Sequence, residues 1–250
     1  MAEPLLETDA LTRRFGALAA VDGVSVRFDE GRVHAVIGPN GAGKSTFLNL
    51  LSGELRATSG RVRFRGLDVT NATPDELSRL GIGRSYQTAN LFPELPSGSC
   101  VWLAAQSRMA SSMRFLRPAE RYAEVGVSAR HALDVCGLSQ REEKVAGQLS
   151  YGEQRQLEIA MMLATEPSLL LLDEPLAGLG HDEALRVVEL LRQVSRGRTV
   201  VLVEHDMEAV FSIADTVTVL VDGRVLETGS PERVRNSARV REAYLGEGVA

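Results

Sequence analysis

The run Gly38-Pro39-Asn40-Gly41-Ala42-Gly43-Lys44-Ser45-Thr46 sets two glycines five residues apart, then a lysine and two hydroxyl residues. Each residue type has a use at that spacing. Glycines let backbone N–H groups turn inward around an anion. Lys44 is a point charge that can reach the β- and γ-phosphates of a nucleotide, and the Ser45 hydroxyl can ligate Mg²⁺. The apolar run Val33 to Ile37 before the loop suits a buried strand, and Phe47 to Leu51 after it can continue a helix. A helix N-terminus adds positive potential at the same point. Gly38 to Thr46 are therefore expected to cradle the phosphates of a nucleotide. A glycine-rich turn that binds nothing is the rival reading, and the agreement of the fixed positions with both flanks disfavours it.

A second group stands far downstream. Leu169 to Leu172 are four leucines suited to a fully buried strand, and Asp173-Glu174 follow. Asp173 at the strand end can hold Mg²⁺ through water, and Glu174 can face a water attacking the γ-phosphate. Alone, an acidic pair after a strand is about as often a plain turn; a phosphate loop upstream shifts the balance. Ser150 and Glu153 have the spacing of a capping box, so Ser150 is expected to start a helix.

These residues need a scaffold. Leu5–Leu11 and Val24–Phe28 alternate apolar and polar positions and read as antiparallel strands, as does Arg61–Arg65 between Gly60 and Gly66. Thr73-Pro74-Asp75-Glu76 is a helix start, with Thr73 as N-cap and Pro74 at the first position; that helix should end at Gly81. From residue 88 to 165 strand-like runs nearly vanish. Arg117–Cys136 and Ser150–Ala164 carry helical spacing. Strand and helix then alternate: Leu169–Leu172, Asp182–Val194, Thr199–Val203, Met207–Ala214, Thr216–Val221. A final hairpin strand, Arg224–Thr228, leads to a helical tail opened by Pro231. This alternation implies a parallel sheet with helices on both faces. The expected class is α/β: a P-loop NTPase core, an N-terminal antiparallel β subdomain and an inserted helical subdomain. The whole chain reads as one domain, with 1–87 and 166–250 forming the core and 88–165 the insertion.

Composition sets bounds. The chain has 250 residues, 44% of them hydrophobic, a net charge of −5 and a pI near 5.5. That supports a sizeable core and argues against a basic nucleic-acid-binding face. Cys100 and Cys136 have no CxxC spacing and no histidine nearby at ligand spacing, which fits a reducing compartment. The N-terminus lacks the basic and apolar stretches of a signal peptide. No apolar run approaches the ~20 residues needed to span a bilayer, so a membrane role is expected to come through partners.

Together these motifs resemble the ATP-binding subunits of ABC transporters, over residues 5 to 246. In that family an LSGGQ signature lies before the helix leading into the Asp-Glu strand. Here the stretch is Leu149-Ser150-Tyr151-Gly152-Glu153-Gln154, and Asp173 follows Gln154 by 19 residues. Tyr151 replaces the first signature glycine. The resemblance implies that Ser150, Gly152 and Glu153 bind in trans the ATP held by an opposing subunit, so that two subunits sandwich two nucleotides. It also implies that Gln87 ligates Mg²⁺ and senses the transport partner, that His205 contacts the γ-phosphate, and that Phe15 stacks on adenine. A buried core phenylalanine is the competitor for Phe15, and a structural histidine for His205. The loop Pro175 to Gly180 matches the segment that crosses the dimer interface, with Gly180 where the family usually has Asp.

Several phrases resemble the branched-chain amino acid importer branch. They are Arg14-Phe15-Gly16-Ala17-Leu18, Gly81 to Gln87, Arg155 to Ala160, Glu204-His205-Asp206-Met207 and Arg241 to Glu247. The tail residues are shared with related branches, including urea importers and the lipopolysaccharide-export ATPase. Leu95 to Val101 departs from that branch. The resemblance implies ATP and Mg²⁺ as cofactors. It implies a second ATP-binding subunit, identical or paralogous, two membrane permease subunits, and indirectly a periplasmic solute-binding protein. Nucleic acid is not an expected partner. The expected place is the cytoplasmic face of the bacterial inner membrane, through the permeases. The expected function is ATP hydrolysis energising import of branched-chain amino acids or related small polar solutes such as urea and amides. An ABC ATPase acting on ribosomes or DNA, or a lipopolysaccharide-export type, is the alternative. The segment Gln87 to Val101 is expected to receive a permease helix, with Phe92 at the contact.

Overall fold

The computed structural model describes residues 4–86, 91–108 and 123–245. In chain order the first half contains β1 (Leu6–Phe15), β2 (Leu18–Val24), β3 (Arg27–Phe28), β4 (Val33–Ile37), α1 (Lys44–Leu51), β5 (Ser59–Phe64), β6 (Leu67–Asp68), α2 (Pro74–Leu80), β7 (Ile82–Arg84) and α3 (Ser97–Gln106). The second half contains α4 (Ala123–Val135), α5 (Tyr151–Ala164), β8 (Leu169–Asp173), α6 (His181–Val194), β9 (Thr199–Val203), α7 (Met207–Ile213), β10 (Thr216–Val221), β11 (Arg224–Gly229), α8 (Pro231–Asn236) and α9 (Ala238–Leu245). The described residues form two compact units: those within 1–82, 169–174 and 195–250 form one, and those within 83–168 and 175–194 the other.

The first unit is built on two sheets. The larger has the order β11-β10-β4-β9-β8-β7; β10, β4, β9 and β8 are mutually parallel, and β11 is antiparallel to β10. Strands β4, β8 and β9 are buried at every position, as their largely apolar runs require of strands covered on both faces; the polar members His34, Asp173 and Thr199 are buried with them. The second sheet is antiparallel, β2-β1-β5-β6 with β3 also on β1. Phe47, Leu48 and Leu51 of α1 share a core with Phe28, Phe64, Leu169 and Val201, so one apolar cluster ties α1 to both sheets.

Two local outcomes differ from the expectation. Val24–Phe28 is not one strand: Val24 closes β2, and β3 is only Arg27–Phe28. Hydroxyls take over the backbone groups at the break. Thr8 Oγ1 donates to Val24 O and accepts from Val26 N–H, and Ser25 Oγ accepts from Ala10 N–H. Ala10 itself has φ 45°, so β1 kinks there and changes partner along its length. The second difference is α3, for which no helix was expected and which begins inside Leu95–Val101, the stretch that departs from the branch. Ser97 opens it, with the buried Ser97 hydroxyl on Lys144 O.

The second unit is helical. Helices α3, α4 and α5 pack on one another, and α5 meets α6. The 3-10 turns Ser139–Arg141 and Ala146–Gln148 connect α4 to α5. Of the expected Arg117–Cys136 helix, the part before Ala123 lies outside the described residues, and so does Gln87. Among the described residues no helix is long and apolar enough to cross a membrane.

Candidate functional site

Strand β4 delivers its C-terminal end into the glycine loop, and α1 leaves from it. Gly38, Gly41 and Gly43 have φ of 152°, 77° and 93°. A Cβ at residue 38 would sit 2.1 Å from Leu220 O, and one at residue 43 would sit 2.1 Å from Ala20 O. Backbone stands in both places, so only glycine fits. Lys44 is only 8% exposed, and its ammonium donates to Gly38 O at 2.7 Å and Pro39 O at 2.8 Å. The charge is thus held over its own loop. Ser45 lies exposed in the first turn of α1.

Strand register gathers the other first-unit groups. Val36 of β4 pairs with Val203 of β9, and Val203 pairs with Asp173 of β8. The C-terminal ends of three parallel strands are therefore neighbours, and the glycine loop, Asp173-Glu174 and Glu204-His205 leave from the same edge. Open α/β sheets bind ligands at this edge. Asp173 is buried, and Glu174 turns the chain at φ 47° with its N–H on Val203 O at 2.9 Å. Glu204 was legible only as a neighbour of His205. Its buried carboxylate accepts from His205 N–H at 3.0 Å and Asp206 N–H at 3.4 Å, shaping the turn after β9. The His205 ring, 65% exposed, is left facing outward, with Nδ1 3.6 Å from Glu204 Oε2.

Phe15 ends β1 beside the turn into β2 and is 46% exposed, so it is not a core side chain. The Arg13 guanidinium lies over its ring at 4.6 Å and donates to Arg56 O at 2.8 Å. The same β2 carries Ala20, whose carbonyl borders Gly43, and Asp22, whose N–H donates to Gly223 O at 2.8 Å. Asp22 also pairs with Arg224 at 2.6 Å, and that hydrogen bond lowers its carboxyl pKa.

The second unit carries the signature stretch. Ser150 caps α5 and forms the full capping box: its Oγ accepts from Glu153 N–H at 3.2 Å, and Glu153 Oε2 accepts from Ser150 N–H at 2.9 Å. Partial burial raises the Glu153 pKa, but the Ser150 N–H and Arg141 outweigh it and leave the carboxyl below its ordinary value. The Tyr151 ring sits 5.8 Å from the Arg155 guanidinium, and a Cβ at residue 178 would come within 3.2 Å of it. Sequence reasoning gave no role to two further features. Buried Arg155 and Glu158 pair at 2.8 Å and clamp both backbone groups of Tyr86: Arg155 donates to its carbonyl and Glu158 accepts from its N–H, each at 2.9 Å. Their spacing of three on one helix was the available signal. Glu183 of α6 also reaches Ser150 and Gly152.

The donor set suits a hard cation. Among the described residues no cluster of three or more His, Cys, Asp or Glu could cage a metal. One hydroxyl, one carboxylate and phosphate oxygens, with water, are what Mg²⁺ prefers at a nucleotide site.

A glycine cradle between a parallel strand and a helix, flanked by an acidic strand end, defines a P-loop nucleotide hydrolase. The comparisons narrow that class. Residues 21–177 match the ABC transporter family model, and residues 224–250 match that of the branched-chain amino acid ATP-binding cassette transporter. The chain is 38% identical to the high-affinity branched-chain amino acid transport ATP-binding protein BraF of Pseudomonas aeruginosa, over 99% of this chain and 100% of that protein. It is 35% identical, with the same coverage, to its counterpart LivG of Escherichia coli K12. An ABC transporter cassette solved in its ADP conformation superposes with a TM-score of 0.86 at 30% identity, covering 98% of this chain and 100% of that one. A dimeric cassette in a post-hydrolysis state, bound to ADP and Pi, gives 0.76 at 27% identity, covering 90% and 98%. The chain belongs to the ABC transporter family, and it is an ATP-binding, ATP-hydrolysing cassette. The expected α/β P-loop fold and the branch resemblance are borne out.

Proposed function

We propose that this cassette energises a bacterial importer of branched-chain amino acids or closely related small polar solutes. The observation that carries the reading is the common edge of β4, β8 and β9, which assembles phosphate cradle, acid pair and histidine. The relatives named above are amino-acid transport proteins, which supports import over an export or ribosome-acting role.

In this reading Gly38 to Thr46 wrap the phosphates with backbone N–H groups. The Lys44 ammonium leaves the Gly38 and Pro39 carbonyls for β- and γ-phosphate oxygens. Ser45 and Asp173, with Gln87, would hold Mg²⁺, which when bound neutralises charge on those oxygens. Glu174 orients the attacking water and accepts its proton on a carboxylate oxygen. His205 is held outward by the Glu204 turn to meet the γ-phosphate. Phe15 stacks on adenine with one ring face, and Arg13 covers the other. Ser150, Gly152 and Glu153 meet ATP held by a second cassette, identical or paralogous.

The cassette would work at the cytoplasmic face of the inner membrane on two permease subunits, fed by a periplasmic solute-binding protein. Phe92, 48% exposed beside half-buried Leu91 and Leu95, is the proposed permease contact. Phe92→Asp should leave the melting temperature and ATP affinity of the isolated cassette near normal, yet abolish co-purification with the permeases and transport in vesicles. A large loss of stability in the isolated variant would instead assign Phe92 to the core.

A further inference from the structure

The N-terminal end of α5 holds a carboxylate of its own chain. Glu183 Oε1 accepts from the Ser150 hydroxyl at 3.2 Å and from Gly152 N–H at 3.3 Å. A Cβ at residue 152 would fall 2.8 Å from Glu183 Oε1 and Cδ, so the carboxylate fills the space directly over Gly152. Ser150 and Gly152 are two of the three residues that the proposed function sets against the ATP of an opposing subunit. One pair of donors cannot serve a carboxylate and a phosphate together, and the two anions repel.

We infer that Glu183 is a gate on the signature stretch: its carboxylate occupies the Ser150 and Gly152 donors in the single subunit and must withdraw before ATP from the opposing subunit engages them. The inference rests on the trans reading of those donors. The surroundings supply somewhere to go. A cavity of about 630 Å³ adjoins Glu183 and is lined by Arg141, Lys144, Arg186, Gln148 and Gln156. Arg141 and Lys144 already hold Glu153 there, at 2.9 and 3.5 Å. Arg186 lies three residues along α6 from Glu183, close enough on the helix surface to receive its charge. Rotation about the Glu183 side-chain bonds turns the carboxylate from the α5 donors towards these cations. Glu183 touches no substrate in either state, so it is a positioning residue. Its effect is to set how much ATP is needed to close the sandwich.

The test measures ATP-driven dimerisation by sedimentation in three full-length chains: Glu174→Gln, Glu174→Gln with Glu183→Gln, and Glu174→Gln with Glu183→Ala. The first slows hydrolysis so that the closed form accumulates. The gate predicts that half-maximal dimerisation shifts to lower ATP, on the order of tenfold for Ala and less for Gln, since a charge-assisted competitor is removed. ATP affinity of the single subunit should not change. A merely structural role for Glu183 would move dimerisation the other way, because a loosened α5 end binds phosphate less well. Unchanged or weakened dimerisation in the folded Gln variant overturns the gate and leaves the sandwich standing. If all three chains stay monomeric at saturating ATP, the trans reading falls and the gate falls with it. Should Ala lower the melting temperature, the isosteric Gln variant decides alone.

Discussion

Lys44 shows how much a single residue decides. Its buried ammonium, bonded to two carbonyls of its own loop, is the one side-chain charge in the glycine cradle. Lys44→Ala should cost about 1.5–3 kcal/mol of ATP affinity, the worth of a hydrogen bond to a charged group. That is a loss of roughly 10- to 100-fold in titration calorimetry, and hydrolysis should fall to background. Unchanged turnover would remove the site from this loop. Residues of this kind were legible in the sequence because their chemistry depends on close neighbours in the chain. Glycines, lysine and serine within nine positions declare themselves. Glu204 and Glu183 did not: each acts through a turn or a helix contact that no spacing announces, and Glu183 meets Ser150 across 33 residues of chain.

At the scale of elements, α5 does two things at once. Its first turn presents the signature residues, and its next turns bury the Arg155–Glu158 pair that clamps Tyr86, immediately before Gln87. Both side chains are almost fully buried, so removing the acid takes the carboxylate counter-charge from a guanidinium in a dry site. Glu158→Ala should destabilise the chain by about 3–5 kcal/mol in urea unfolding. It should also loosen the Tyr86 backbone, read as faster amide exchange there. Wild-type exchange at Tyr86 would contradict the clamp. The α5 helix was legible from its capping box, and β4, β8 and β9 from apolar runs that end where acid or glycine begins. The split of Val24–Phe28 was not, because hydroxyls from Thr8 and Ser25 replace the ladder bonds. Nor was α3: its opening Pro96-Ser97-Gly98-Ser99 carries turn chemistry, and burial of Ser97 and Cys100 overrides it.

For the whole molecule, alternation of strands and helices foretold the doubly covered sheet, and family membership rests on nearly the entire chain. Less of the architecture could be read where helices meet. Helix α6 follows the acid pair of β8 yet groups with the helical unit, an association made by side-chain packing against α5 rather than by any local pattern. On the proposed function the cassette completes its sites only as a pair, with Glu174 as the hydrolytic base of each. Glu174→Gln keeps the side chain's size but cannot accept the proton from water. Sedimentation of this variant with Mg²⁺ and ATP decides whether the pair forms. The expected result is ATP affinity close to wild type, turnover reduced by about 100-fold or more, and a stable dimer that dissociates when ATP is replaced by ADP. A monomer under saturating ATP that still hydrolyses at the wild-type rate would contradict it.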